Sequence, residues 1–145
     1  MAKKRINPKT YLCIDCGTEA NYHPGKKNIY CSIKCQQTAQ YKRYVKEWKE
    51  GLRVGAGPNG VSVHIKRYLL EKQNHCCAIC GTIEWNGKPL TLEVEHVDGN
   101  SQNQTEDNLA MICPNCHSQT ETYKGKNRGN GRHFRKQRYL EGKSF

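Results

Sequence analysis

The chain has 145 residues, 24 of them Lys or Arg against 13 Asp or Glu, a formal net charge of +11. Only 35% of residues are hydrophobic, and nine of those are cysteines, so a large carbon core is out of reach without a staple. This balance excludes an acidic or neutral metabolic enzyme as the default, and no apolar run approaches the ~20 residues of a membrane span.

The start, MAKKRINPKTYL, carries a basic arm (Lys3, Lys4, Arg5, Lys9) with no apolar stretch behind it, which does not fit a secretory signal. A cytoplasmic location follows as the expectation, and there the thiols stay reduced, so the cysteines point to metal rather than disulfides. Their spacing agrees. Cys13-x-x-Cys16 is followed by Cys31-x-x-x-Cys35, two short-spaced pairs of the kind that close a tetrahedral zinc site. Gly17 follows the second cysteine, where a tight knuckle turn favours a residue without Cβ. Residues 11–35 therefore read as a small zinc module of loops and short hairpin strands.

After Cys35 the period becomes helical. Tyr41, Tyr44, Val45, Trp48 and Leu52 share one face, with Lys42, Arg43, Lys46 and Lys49 largely on the others. The aromatic stripe reads as packing, or alternatively as a homodimer interface. Gly51, Gly55, Gly57, Pro58 and Gly60 then break regular structure and mark a boundary. The expected organisation is a zinc module plus helix over 1–50, a Gly-rich linker over 51–61, a second domain over 62–130 and a basic tail over 131–145.

Ser62 reads as an N-cap for a helix to about residue 73 that buries Val61, Ile65, Tyr68 and Leu69. It leads into Cys77-x-x-Cys80, followed by Gly81 and later by Cys113-x-x-Cys116, a second zinc set. Cys76 could replace Cys77 in that set, but only Cys77 gives the two-residue spacing. Eight thiolates and two zinc ions leave the loaded protein still basic.

Residues 91–97 alternate as a strand does, Asp98-Gly99-Asn100 turns away, and Asn108 to Ile112 reads as the returning strand. Residues 114–123 can start a helix, with Pro114 near its first turn. The Cys113–Cys116 knuckle pins that helix start beside the hairpin and brings His117 toward Glu95 and His96. A carboxylate and an imidazole can share one divalent cation, and a second imidazole beside it is suited to take a proton from water. His117 could instead replace Cys116 as a zinc ligand. Lys124 to Lys143 holds eight Lys or Arg and one acid, Glu141, and is expected to be extended or irregular.

The run LEVEHVDGNSQNQTEDNLAMICPNCHSQT resembles the HNH endonucleases of the ββα-metal class, particularly the small phage and homing types with a four-cysteine zinc. The resemblance covers residues 62 to about 130. YLCIDCG and YCSIKC look like the treble-clef or zinc-ribbon module often fused in front. The implied fold is a small, zinc-stabilised α+β protein: that module, a helix, then a ββα-metal nuclease domain. The resemblance implies His96 as general base, Asn108 as the residue that orients it, and Glu95 and His117 as holders of one Mg²⁺ or Mn²⁺. It also implies products with 5′-phosphate and 3′-hydroxyl ends. Asp often precedes the first His in this family; Glu95 stands there, so Glu93 competes for the role.

Two structural zinc ions (Cys13, Cys16, Cys31, Cys35 and Cys77, Cys80, Cys113, Cys116), double-stranded DNA as partner and no membrane complete the expectation. Lys66, Arg67, Lys124, Lys126, Arg128, Arg132 and Arg135 are the candidate phosphate contacts. If phage-encoded, the protein would act in the host cytoplasm. One such site cuts one strand at a time, so a double-strand break needs a dimer, a second event or a second site. The alternative is a non-catalytic zinc-finger DNA-binding protein, which has no reason to keep Glu95, His96, Asn108 and His117 together.

Overall fold

The computed structural model describes residues 9–57, 60–127 and 140–142. The basic arm before Lys9 and the tail residues Arg128, Arg132 and Arg135 lie outside the described residues. The chain divides into two compact units between Lys46 and Glu47. Among the described residues no helix is long and apolar enough to cross a membrane.

In the first unit, β1 (Thr10–Leu12) pairs antiparallel with β2 (Glu19–Asn21), Thr10 opposite Asn21 and Leu12 opposite Glu19. The knuckle Cys13–Cys16 forms the turn between them. Gly17 closes it at φ +71°, its N–H donating to the Cys13 carbonyl at 2.8 Å. A Cβ there would meet nothing, so the backbone conformation, not space, selects glycine. Helix α1 (Ile33–Lys49) starts directly after Cys31, and Ser32 Oγ accepts the Cys35 N–H at 3.2 Å, as a helix cap does.

The buried face of α1 is Tyr41, Val45 and Trp48. The apolar period continues to Leu52, yet Leu52 is 75% exposed. The backbone explains the difference. Gly51 adopts φ +71°, its N–H returns to the Trp48 carbonyl at 3.0 Å, and the Leu52 N–H returns to Glu47 at 2.8 Å. That pair of bonds is a Schellman stop, and it turns Leu52 out of the helix.

In the second unit, the glycine-rich stretch after α1 holds more structure than its composition suggests. β3 (Ala56–Gly57) pairs with β4 (Gly60–Val61). A Cβ on Gly55 would come within 2.8–2.9 Å of Ile65 Cδ1, Gln104 Oε1 and Trp48 Nε1, so Gly55 is where the backbone passes under the core. Helix α2 (Val63–Lys72) follows, capped by Ser62 Oγ accepting the His64 N–H at 3.3 Å, and buries Ile65 and Leu69 completely. It packs on β8 (Leu109–Ile112).

Between them lie a small hairpin and the central one. β5 (Glu84–Trp85) and β6 (Lys88–Pro89) are joined by Asn86-Gly87, both at positive φ, the conformation that two-residue hairpin loops demand. β7 (Glu93–His96) pairs antiparallel with β8, Glu95 opposite Ala110 and His96 opposite Leu109. A 3₁₀ turn (Glu106–Asn108) feeds β8, and α3 (Pro114–Gln119) follows it. Another 3₁₀ turn covers Lys124–Asn127. The Gln73 side chain extends the sheet. Its amide donates to the Met111 carbonyl at 2.8 Å and accepts the Met111 N–H at 2.9 Å, as a neighbouring strand would.

Glu106 ties the unit together. Its carboxylate accepts Tyr68 Oη and Lys72 Nζ at 2.6 Å each and lies 3.3 Å from Lys49 Nζ. Partial burial pushes the carboxyl up, but these three donors outweigh it and hold it at about 2. A carboxylate with a depressed pKa stabilises the fold above its unfolded value of 4.5, and that contribution is lost as pH falls toward about 2. Glu106→Gln is therefore expected to destabilise the protein by about 2 kcal/mol at pH 7. It should also flatten the loss of stability between pH 4.5 and 2. Urea unfolding at several pH values checks both.

Candidate active site and metal centres

The two cysteine sets each gather four sulfurs within 4.8 Å of one another: Cys13, Cys16, Cys31, Cys35 and Cys77, Cys80, Cys113, Cys116. A tetrahedral zinc with bonds of about 2.3 Å separates its sulfurs by about 3.8 Å. The Cys16–Cys31, Cys31–Cys35 and Cys80–Cys113 sulfurs stand 3.6, 3.5 and 3.9 Å apart. Both sets fit zinc. Cys77 belongs to the second set, whereas the Cys76 thiol turns away to the Gln73 carbonyl at 2.7 Å. Cys116 is likewise a member and His117 is not.

The knuckles repeat one design. In each, the glycine N–H returns to the first cysteine carbonyl and a threonine follows, Thr18 or Thr82, whose hydroxyl sits 3.2 or 3.3 Å from the second sulfur. The electrostatics ask for a cation. Backbone N–H groups at Cys16 and Cys31 bring the Cys13 thiol down to about 6, and Thr82 does the same for Cys80. Their neighbours answer for it: Cys35 and the other sulfurs push Cys31 up to about 12, and Cys113 does so for Cys116. Four thiolates cannot share this space unless a dication sits among them.

The second knuckle positions a different site. Cys113 caps α3, its sulfur accepting the Cys116 N–H at 3.4 Å, and Pro114 fills the first helical position. His117 therefore stands one turn into α3, against β7, where Glu93 and Glu95 share a face because strand side chains alternate. The His117 ring lies between them. Nε2 is 3.0 Å from Glu95 Oε2 and Nδ1 is 2.6 Å from Glu93 Oε2. Glu95 is 7% exposed, and its other oxygen accepts the Thr122 hydroxyl. Tyr123 closes on the edge of the His117 ring at 5.0 Å between centroids.

Glu95 and His117 fit a small divalent ion. Two ligands at right angles on an octahedral ion with bonds of 2.0–2.1 Å stand about 3.0 Å apart. The observed Nε2–Oε2 separation is 3.0 Å.

His96 follows Glu95 and is half-buried. Burial pushes its imidazole below the usual histidine range, against the opposing pull of the Asp98 and Glu95 charges. Its Nε2 is enclosed and has no hydrogen-bond partner among the described residues. Asn108 is buried and holds the loop that follows: its carbonyl oxygens accept the Val97 and Asp98 N–H groups at 2.9 Å each, and Nδ2 donates to the Asn103 carbonyl at 2.7 Å and Asp98 Oδ1 at 2.8 Å. Asp98, which reads from sequence as a turn former, is the hub of that loop. Donation from Asn103 first, then from the Asn100 N–H and Asn108, holds its carboxyl below the usual carboxylate range.

The segment after α3 is anchored at Gly99. Asn127 Nδ2 donates to the Gly99 carbonyl at 2.7 Å. Gly99 has φ +72°, and a Cβ there would lie 2.7 Å from Asn127 Oδ1 and 2.8 Å from Thr122 Cγ2. Gly99→Ala is expected to cost about 1–3 kcal/mol and to displace Thr122 from Glu95. Thermal unfolding measures the first effect and the Thr122 chemical shifts the second.

Of the candidate phosphate contacts, Arg67 pairs with Glu71 at 2.7 Å on α2, and Lys124 lies 4.8 Å from the Tyr123 ring centroid. Lys126 reaches the Thr120 carbonyl at 3.4 Å, and Lys66 is partly exposed on α2. Sequence reasoning missed Thr122, and it named Glu93 only as a competitor of Glu95 for the ion, not as a direct partner of the His117 ring. The alternation of β7 was the available signal for Glu93.

Residues 77–122 match the HNH endonuclease family. Over 70 residues the chain is 54% identical to the H-N-H endonuclease F-TflIV of Escherichia phage T5; the match covers 47% of this chain and 31% of that protein, so the chain spans about a third of its relative's length. No solved structure matches significantly.

Proposed function

We propose that this chain, which carries an HNH endonuclease domain, is a metal-dependent nuclease that hydrolyses phosphodiester bonds in double-stranded DNA and leaves 5′-phosphate and 3′-hydroxyl ends. The observation that carries this reading is the pairing of Glu95 and His117, Nε2 to Oε2 at 3.0 Å, beside a half-buried His96. Glu95 and His117 would hold one Mg²⁺ or Mn²⁺. When bound, such an ion neutralises charge on the scissile phosphate and on the departing 3′ oxygen.

The protein's own groups do the rest. His96, whose imidazole burial pushes below the usual histidine range, takes the proton of the attacking water. Asn108 fixes the backbone at Val97 and Asp98, directly after His96, and so holds the imidazole's place on the strand end. Thr122 fixes one Glu95 oxygen and leaves the other facing His117. Lys66, Arg67, Lys124 and Lys126, with Arg128, Arg132 and Arg135, bring the duplex in through its phosphates, so affinity falls steeply with salt. The first unit, with its own zinc set, is the candidate for reading bases.

The end chemistry is a direct test. Nicked plasmid produced in Mg²⁺ or Mn²⁺ should be resealed by DNA ligase without prior treatment. Nicks that need end repair before sealing would contradict the proposed in-line hydrolysis.

A further inference from the structure

We infer that Glu93 is a positioning residue: it accepts the Nδ1 proton of His117 and so commits the Nε2 lone pair of that ring to a divalent ion shared with Glu95. This rests on the reading of Glu95 and His117 as the ion's holders and assigns a role to the second carboxylate of the site.

The two contacts of the His117 ring differ in kind. The 2.6 Å between Nδ1 and Glu93 Oε2 is a short hydrogen-bond contact, just under the usual charge-assisted N–H···O length. It is too short for two ligands at right angles on an ion with bonds of 2.0–2.1 Å, which stand about 3.0 Å apart. The 3.0 Å between Nε2 and Glu95 Oε2 meets that separation. The two ring nitrogens thus face two carboxylates at different distances, the shorter contact on Nδ1 and the longer on Nε2.

Burial separates the two carboxylates as well. The Glu95 side chain is 9% exposed and its second oxygen is held by Thr122, whereas the Glu93 side chain is 49% exposed. An enclosed, doubly tethered carboxylate is set for a fixed ligand position, and an open one is suited to support a ring from outside. A carboxylate on the far nitrogen of a ligating histidine fixes the tautomer and the ring plane and makes the near nitrogen more basic. The β7 register supplies the geometry. Glu93 and Glu95 lie two residues apart on one face, opposite Ile112 and Ala110, so both reach a single ring on α3.

The test is Mn²⁺ affinity of the zinc-loaded full chain, measured by titration calorimetry, for the wild type, Glu93→Ala, Glu93→Gln and Glu95→Ala. Zinc content and thermal unfolding are followed in parallel to establish that each variant is folded. Glu93→Ala is expected to weaken Mn²⁺ binding by about tenfold. Glu93→Gln should recover part of that loss, because its amide oxygen still accepts the Nδ1 proton. Glu95→Ala should lose more than either.

Wild-type affinity in folded Glu93→Ala overturns the inference while leaving the ion site standing. Equal, complete losses in Glu93→Gln and Glu95→Ala overturn it too, by making Glu93 a ligand. Unaltered affinity in Glu95→Ala overturns the underlying reading of the ion site and the inference with it.

Discussion

His96→Ala is expected to lower DNA cleavage by about 10²–10⁴-fold and to leave zinc content, fold and DNA affinity unchanged. The loss is that of a general base, since no other imidazole stands in its position on β7. Folding should tolerate the change. Nε2 of His96 makes no hydrogen bond among the described residues, so truncation orphans no partner. DNA affinity should hold because it comes from Lys and Arg on phosphates. Cleavage at the wild-type rate by folded His96→Ala would remove the base from the account. Parallel loss of affinity and cleavage would make His96 a binding residue.

Cys113→Ser is expected to unfold the second unit at ordinary temperatures. Cys113 is both a member of the sulfur set and the cap of α3, and it is 3% exposed. A structural zinc contributes about 10–16 kcal/mol of apparent binding free energy, while a domain's whole stability is about 5–15 kcal/mol. With this core the metal decides the balance: the cluster around Cys77, Ile112 and Cys113 draws otherwise on partly buried Leu90, Leu92, Ala110 and Cys116. Circular dichroism should show loss of cooperative melting, and the same result should follow when a strong chelator removes zinc from the wild type. Cys76→Ser is the control. Among the described residues its thiol bonds only the Gln73 carbonyl, so zinc content and melting should stay close to wild type. A cooperative, wild-type transition in Cys113→Ser would contradict the structural role of the second metal.

What the sequence made legible was local and periodic. The Cys-x-x-Cys spacing followed by Gly17 and Gly81 carries its own geometry, and the sulfurs do converge. Ser62 and the period of Ile65 and Leu69 announce α2, and the alternation before Asp98 announces β7. The failures lie where the answer depends on a distant partner or on one backbone angle. The apolar period alone carries Leu52 into α1, but one positive φ at Gly51 ends the helix. Gly55 looks like linker because nothing in a glycine announces that Ile65 and Trp48 will press on it. The Asn86-Gly87 hairpin was written in the sequence and needed only its turn chemistry to be read.

The site divides in the same way. Glu95, His96, Asn108 and His117 stand out by residue type and order. That Glu93 also reaches His117 depends on the register of β7 against β8 and on where Cys113 starts α3. That Thr122 holds Glu95 depends on the chain folding back after Thr120, which no period encodes.

The central claim is that Glu95, His96 and His117 form a metal-dependent site for cutting DNA. Its most direct test is conversion of supercoiled plasmid by the zinc-loaded full chain, with and without added Mg²⁺ or Mn²⁺. The account predicts nicked or linear product only when the ion is added, and none from Glu95→Ala or His117→Ala under the same conditions. Bound but uncut plasmid in either ion, from protein with both zinc sites filled, would contradict it and make this chain a zinc-stabilised DNA-binding protein.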